Sequence, residues 1–306
     1  MTKVVIFGCQ KICIEFIDYL RRNAQIYTVP IVFTSERKSD KNLPYKSIIS
    51  YCKKKKINFK NSKKLGNKEI NLIKKAKPDI IFSIYYRYFI PIEILNIPTI
   101  GSYNIHPSLL PLYKGSTPTA WAIINNENYF GITVHKLTKN LDSGDIYYQK
   151  KIPIKKNETG FELNNRAMTI GLKILKNNFK KLINKKLIPS KQNSKGTFYK
   201  KIPSSNQINW ATESQSIFNK FRVYAHPFSG SFSKIKNRKI HINCLKILNN
   251  KNVKLYDHGR ITRVYSNFSF IVSCKKGLIH VLDYNFSRKL NKFELNKYIR
   301  VGNKLI

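Results

Sequence analysis

The chain opens on a short apolar run at residues 3–8. From residues 12–22 the apolar positions Ile12, Phe16, Ile17 and Leu20 then recur at helical spacing. Residues 29–34 read as a second strand, 45–55 and 68–75 as helices, and 79–83 as another buried strand. Strands alternating with helices in this way predict an α/β domain, a Rossmann-like and mostly parallel sheet with helices on both faces. Ligands of such a sheet gather beyond the carboxyl ends of its strands. Residues 160–186 predict one long amphipathic helix. A polar, lysine-rich passage with Pro189 and Pro203 follows and reads as a linker. Beyond residue 228 the pattern changes to short β-rich runs (239–247, 259–265 and 268–274) between turns, which predicts a smaller antiparallel, OB-like β-barrel. The expected organisation is a first domain over 1–186, a linker over 187–208 and a C-terminal domain over 209–306.

Composition narrows the class. Hydrophobic residues make up 42% of the chain, enough for a substantial core, which excludes a disordered protein. No apolar run approaches the roughly 20 residues of a membrane span, and the N-terminus reads as a strand rather than a signal peptide. No membrane insertion and a cytoplasmic location are expected. The cysteines Cys9, Cys13, Cys52, Cys244 and Cys274 are odd in number and scattered, and no Cys or His pair completes a zinc set with Cys9 and Cys13. Reduced, buried thiols and no metal are expected. The formal charge of +41 is unusual, but its lysines are spread along the chain and suit a solvated face. So large a charge also favours a polyanionic partner.

The first strand does not run into a dinucleotide loop. After Gly8 come Cys9, Gln10, Lys11 and Ile12, where a G-x-G-x-x-G turn would give a pyrophosphate room. An NAD enzyme is disfavoured.

The informative chemistry lies between residues 100 and 154. Asn104 and His106 stand two apart in N-I-H-P-S-L-L-P, so at a strand end both side chains point to one side. Asp142 follows in the turn L-D-S-G-D. An amide, an imidazole and a carboxylate suit acyl transfer to an amine. Histidine shuttles protons near neutral pH, and a carboxylate beside it orients it and raises its pKa. An asparagine amide donates to a developing oxyanion, an effect worth about 3–4 kcal/mol. Taken singly, each residue also has a structural reading, as a loop histidine or a turn former.

Together these motifs resemble the 10-formyltetrahydrofolate-dependent formyltransferase family, which carries Asn-x-His, Ser-Leu-Leu-Pro and then Asp in a Leu-Asp-x-Gly turn. The resemblance runs over essentially the whole chain, to Val301-Gly302-Asn303-Lys304-Leu305. It implies that His106 is the general acid/base, Asn104 the oxyanion stabiliser and Asp142 the carboxylate that tunes His106. It also implies 10-formyltetrahydrofolate as donor. The donor would be held by Tyr88, Phe89 and Ile90, by Ser108, Leu109, Leu110 and Pro111, and by the loop of Thr138, Lys139, Asn140 and Leu141. The first domain then carries catalysis, and the C-terminal domain binds the acceptor.

Two subfamilies combine such a catalytic domain with a C-terminal barrel, one formylating methionyl-tRNA and the other nucleotide-linked amino sugars. The stretch D-I-I-F-S-I-Y-Y-R at 79–87 resembles the amino-sugar group, and most closely the domain that formylates UDP-4-amino-4-deoxy-arabinose. Ser116 begins S-T-P-T-A-W, where the tRNA enzymes typically show R-G-A-A-P-I. The segment over 35–43 is short, where they carry a basic insertion. A nucleotide-linked 4-amino sugar is therefore the expected acceptor, with Tyr86, Arg87 and Ser116 as acceptor-side residues. Methionyl-tRNA is the alternative, and the charge favours it.

Overall fold

The computed structural model describes the chain apart from residues 38–39, 41–43, 45, 194, 203–204 and 249–256. Most of the short segment at 35–43, the start of the helix expected at 45 and Pro203 of the expected linker therefore lie outside the described residues. The chain divides into two compact units. One comprises Met1–Thr119, Tyr129–Pro153 and Asn164–Lys201, and the other Ala120–Asn128, Ile154–Leu163 and Ile202–Ile306.

In chain order the elements are β1 (Thr2–Gly8), α1 (Gln10–Arg22), β2 (Tyr27–Thr28), β3 (Val32–Thr34), α2 (Ile48–Lys54), β4 (Phe59–Asn61), α3 (Asn67–Ala76) and β5 (Ile80–Ile84). There follow α4 (Ile92–Leu95), β6 (Gly101–His106), β7 (Lys114–Gly115), α5 (Pro118–Ile124), β8 (Tyr129–Lys136), β9 (Ile146–Pro153), α6 (Gly160–Ile183) and β10 (Phe198–Tyr199). The second unit continues with α7 (Ser214–Tyr224), β11 (Ser231–Ile235), β12 (Arg238–Leu248), β13 (Ile261–Val264), β14 (Phe270–Ser273), β15 (Leu278–Phe286) and α8 (Lys292–Tyr298).

The main sheet runs β4-β3-β1-β5-β6-β8-β9, with β2 also paired to β1. It is parallel from β4 to β6 and antiparallel across β6, β8 and β9. The chain leaves β1 toward β3 and returns on its other side as β5, so a crevice opens at the carboxyl ends of β1 and β5. Of the second strand expected over 29–34 only β3 is strand, and β2 precedes it at Tyr27–Thr28. Pro30 lies between them and has no N–H to give the ladder.

Alternation along β1 buries both faces. Val5 and Phe7 join Phe33, Ile81 and Ile94 in one cluster, where Phe7 and Phe33 stack at 4.7 Å. Elsewhere in this unit Phe16, Phe82 and Phe179 pack on one another at centroid distances of 5.0–5.8 Å.

The second unit is built on an antiparallel sheet ordered β11-β12-β15-β14-β13. Its two edge strands are bridged by the last described residues, with Leu305 paired to Ile235 and Lys304 to Arg260. Lys234 and Ile306 exchange both backbone hydrogen bonds, at 2.8 and 2.9 Å. The sheet is thereby closed into the expected barrel, and its edges are covered. Trp210, Ile240, Phe270 and Val281 fill it, and the Trp210 indole donates to Ser233 Oγ at 2.9 Å. β11 was not legible as a strand because two of its inward positions, Ser231 and Ser233, are serines.

Cys9, Cys13, Cys52 and Cys274 are buried free thiols, whereas Cys244 is exposed, contrary to expectation. The ladder between β12 and β15 shifts register on both sides of Cys244, and a bulge of that kind re-aims a side chain. Among the described residues, no helix is long and apolar enough to cross a membrane.

Candidate active site

Asn104 and His106 occupy the carboxyl end of β6, two residues apart and therefore on one face. β8 runs antiparallel beside them and places His135 opposite Asn104 and Thr133 opposite His106. Asp142 lies in the turn between β8 and β9, with φ of 47°, in the left-handed region that non-glycine residues seldom occupy. Gly144 lets this turn close, because a Cβ there would stand 2.0 Å from the Lys136 carbonyl.

The four polar side chains converge. His106 Nδ1 lies 3.6 Å from Asp142 Oδ2, and His135 Nε2 lies 3.5 Å from Asp142 Oδ1. Asn104 Nδ2 is 3.2 Å from His135 Nε2. The Gly115 N–H donates to Asp142 Oδ2 at 2.9 Å, and His106 Nε2 donates to the Tyr113 carbonyl at 2.9 Å. His106, His135 and Asp142 are buried, and Asn104 is half-buried.

Burial pushes the His106 pKa down. Asp142 and the Tyr113 carbonyl oppose that push, and the balance stays below the ordinary histidine value. The ring is thus neutral near pH 7, with its proton on the Nε2 that faces the carbonyl. Burial also disfavours ionisation of Asp142. His106 and the Gly115 N–H nevertheless hold its carboxyl far below the usual carboxylate range. The site holds a fixed carboxylate beside a neutral histidine, which is the state a general base requires.

The passage read as a linker contributes to this site. β10 pairs in parallel with β7, and Tyr199 stacks on Tyr113 at 5.1 Å. Thr197 Oγ1 accepts from the Tyr113 N–H at 2.8 Å. Gly115 and Gly196 both have positive φ, and a Cβ on either would meet backbone oxygen at 2.4 or 2.0 Å, of Tyr199 and Pro111 respectively. Gln192 Nε2 donates to the carbonyls of Asp142 and Gly144 at 3.0 and 2.7 Å. Gln192 and residues 196–199 therefore clamp both loops that face His106.

The residues expected at the folate divide by environment. Ile90 belongs to the core cluster of β1 and β5, and Leu137 packs against the same cluster, so the 138–141 loop begins beside the 88–90 segment. Phe89 is 56% exposed and Leu141 49% exposed, which leaves apolar surface free on both. Tyr88 is half-buried and edge-on to Tyr86. Thr138 Oγ1 donates to the Asn140 carbonyl, and Lys139 is exposed. Ser108 is fully buried with its hydroxyl given to the Leu112 carbonyl, and Leu110 is buried. Leu109 and Pro111 are half-buried. Exposed apolar surface on Phe89 and Leu141 fits a flat pterin and its aryl tail.

On the acceptor side, Tyr86 packs against the core and gives its hydroxyl to the Ser62 carbonyl. Ser116 is exposed, and its N–H bonds the Tyr199 carbonyl. Arg87 pairs through both terminal nitrogens with Asp40, at 2.6 and 2.9 Å. It borders a cavity of about 280 Å³ at the carboxyl ends of β1 and β3, lined also by Cys9, Gln10, Thr34, Glu36 and Lys46.

His135 was not singled out in the sequence. Its signal was its place in the run 129–136, where it alternates with apolar residues that face the core.

Comparison with known proteins shows the family. The formyl transferase family pattern matches residues 2–178, and that of the formyl transferase C-terminal domain matches 201–293. The bifunctional polymyxin resistance protein ArnA of Wigglesworthia glossinidia brevipalpis is 33% identical over 282 residues, covering 90% of this chain. The chain spans only 40% of that relative's length. The methionyl-tRNA formyltransferase of Caldicellulosiruptor saccharolyticus is 32% identical over 217 residues, which cover 70% of this chain and 68% of that one. Among solved structures, WlaRD, a sugar 3N-formyl transferase crystallised in the presence of dTDP and 5-N-formyl-THF, matches with a TM-score of 0.67. It is 25% identical, and the match covers 95% of this chain and 99% of that one. The chain belongs to the formyl transferase family.

Proposed function

We propose that this protein transfers a formyl group from 10-formyltetrahydrofolate to the primary amine of a nucleotide-linked amino sugar. The observation that carries the chemistry is the convergence of Asn104, neutral His106 and ionised Asp142 at the carboxyl end of β6. The likeness to WlaRD over nearly the whole of both chains, and to ArnA over most of this one, supports the acceptor class.

In this reading 10-formyltetrahydrofolate supplies the formyl carbon on N10, lying along Phe89 and the 138–141 loop. The acceptor nitrogen bonds to the formyl carbon, and the bond from that carbon to N10 breaks. With the acceptor amine in place of the Tyr113 carbonyl, the His106 proton shifts to Nδ1 beside Asp142, so that Nε2 takes the amine's proton, and N10 leaves with a proton in turn. Asn104 donates an N–H to the formyl oxygen as negative charge develops there. Asp142 stabilises the imidazolium while it exists.

The acceptor's remaining part enters the cavity beside Arg87. β1 lies two strands from β6, so the Cys9–Gln10 turn stands about 10 Å from the His106 strand end, at the usual strand spacing. That span suits an amine attached to a sugar whose nucleotide lies further along the same edge.

Formylation of methionyl-tRNA is the second reading, favoured by the identity to the Caldicellulosiruptor enzyme and by the +41 charge. Offering methionyl-tRNA and a UDP- or dTDP-linked 4-amino sugar separately with 10-formyltetrahydrofolate distinguishes them. Release of tetrahydrofolate is expected with the sugar nucleotide. Turnover with methionyl-tRNA alone would overturn the sugar reading, and turnover with neither would overturn both.

A further inference from the structure

His135 is fully buried and faces three site groups at once. Its Nδ1 lies 2.9 Å from the Lys136 carbonyl. A carbonyl oxygen only accepts, so Nδ1 carries the proton. With Nδ1 donating, Nε2 is the acceptor of the ring, 3.2 Å from Asn104 Nδ2 and 3.5 Å from Asp142 Oδ1. A lone pair gains nothing from a carboxylate oxygen. The bonding contact is therefore Asn104 Nδ2–H donating to His135 Nε2, and the reversed amide would set two acceptors face to face.

From this we infer that His135 is a positioning residue, which locks the Asn104 amide so that the second N–H of Nδ2 remains as the donor for the formyl oxygen. The inference rests on the formyl-transfer reading and gives the site a second histidine with a task unlike that of His106. Without an acceptor at this place the amide can turn by half a revolution and offer Oδ1, which repels the developing oxyanion. The tautomer is itself fixed by the catalytic turn. Lys136 is held against it from both sides. Its own N–H donates to the Asp145 carbonyl at 2.9 Å, and the N–H of the peptide that carries its carbonyl, on Leu137, donates to the Ser102 carbonyl at 2.8 Å. Gly144 lies too close to the Lys136 carbonyl to bear a side chain.

The test uses the full chain with His135→Leu, which cannot accept, and His135→Gln, whose Oε1 can. Expected for His135→Leu is a fall in kcat of about 10²-fold, comparable to loss of an oxyanion donor, with KM for 10-formyltetrahydrofolate within about twofold. His135→Gln should recover at least about tenfold of that loss. In an Asn104→Ala background, His135→Leu should cost nothing further, because it acts only through Asn104. A kcat within about twofold of wild type, or losses that multiply in the double variant, would overturn the inference. Should His135→Leu fail to fold, ¹⁵N NMR of the wild-type imidazole decides, since a proton found on Nε2 overturns it. Wild-type protein that transfers no formyl group to any acceptor would sink the formyl-transfer reading instead, and the tautomer measurement would still stand apart from it.

Discussion

Nδ1 of His106 faces Oδ2 of Asp142 across 3.6 Å, with both side chains buried. The gap exceeds a good hydrogen bond, and the carboxylate acts on the resting ring mainly through its field. Burial lowers the His106 pKa and Asp142 raises it, with burial prevailing. The acid limb of kcat/KM should therefore have its midpoint below the unperturbed histidine value of about 6.5. Asp142→Asn removes the opposing field, so the limb should move to still lower pH while the maximal rate falls. A pH–rate profile of both proteins checks this, and an upward shift in the variant would contradict it.

The same groups make stability depend on pH. The Asp142 carboxyl has a depressed folded-state pKa, so its contribution is complete above the unfolded value of about 3.9 and is lost as pH falls through the folded one. His106, also depressed, adds a loss that begins as pH drops below about 6.5. Urea midpoints measured between pH 7 and pH 3 should decline, and Asp142→Asn should flatten the lower part of that decline.

Asn104→Ala should lower kcat by about 10²- to 10³-fold, because it removes a donor to the oxyanion. It should leave folate binding nearly intact, since Asn104 lies on β6 and not on the exposed folate-side loops. Tetrahydrofolate titration monitored by fluorescence, beside steady-state rates, separates the two effects.

Gln192 ties the catalytic turn to a distant part of the chain. Gln192→Leu keeps its bulk but gives up two hydrogen bonds, costing about 1–3 kcal/mol of stability. With Asp142 in a left-handed conformation that depends on its surroundings, kcat should fall further than so modest a loss would suggest. Thermal melts and rates on one preparation test this.

Phe89 and its neighbour Ile90 should part company. Phe89→Ala should raise KM for 10-formyltetrahydrofolate by about three- to tenfold with an unchanged melting temperature, as Phe89 is exposed. Ile90→Ala should destabilise the fold by about 2–5 kcal/mol, because Ile90 fills the core.

Much of this was legible in the sequence, and the exceptions have physical causes. Asn104 and His106 could be placed on one face because strand alternation is a local property, and Asp142 because its turn chemistry is local. His135 was hidden because a histidine within an apolar strand carries no local sign of its cross-strand partner. The part played by Gln192 and 196–199 was equally hidden. A two-residue parallel pairing and two glycines pressed on carbonyl oxygens leave only a polar, lysine-rich passage in the sequence. The division into units could not be read as cut points either, since Ala120–Asn128 and Ile154–Leu163 group with residues far along the chain.

The bridges from Lys304 to Arg260 and from Leu305 to Ile235 bear on how the protein is made. Synthesis proceeds from the N-terminus, and the strands from β11 to β15 all emerge before the segment that joins the two edges. Until residue 306 is clear of the ribosome, β11 and β13 each present an open edge to other chains. The nascent second unit is therefore most exposed to mispairing after its core residues have emerged and before residues 304–306 have followed to seal it.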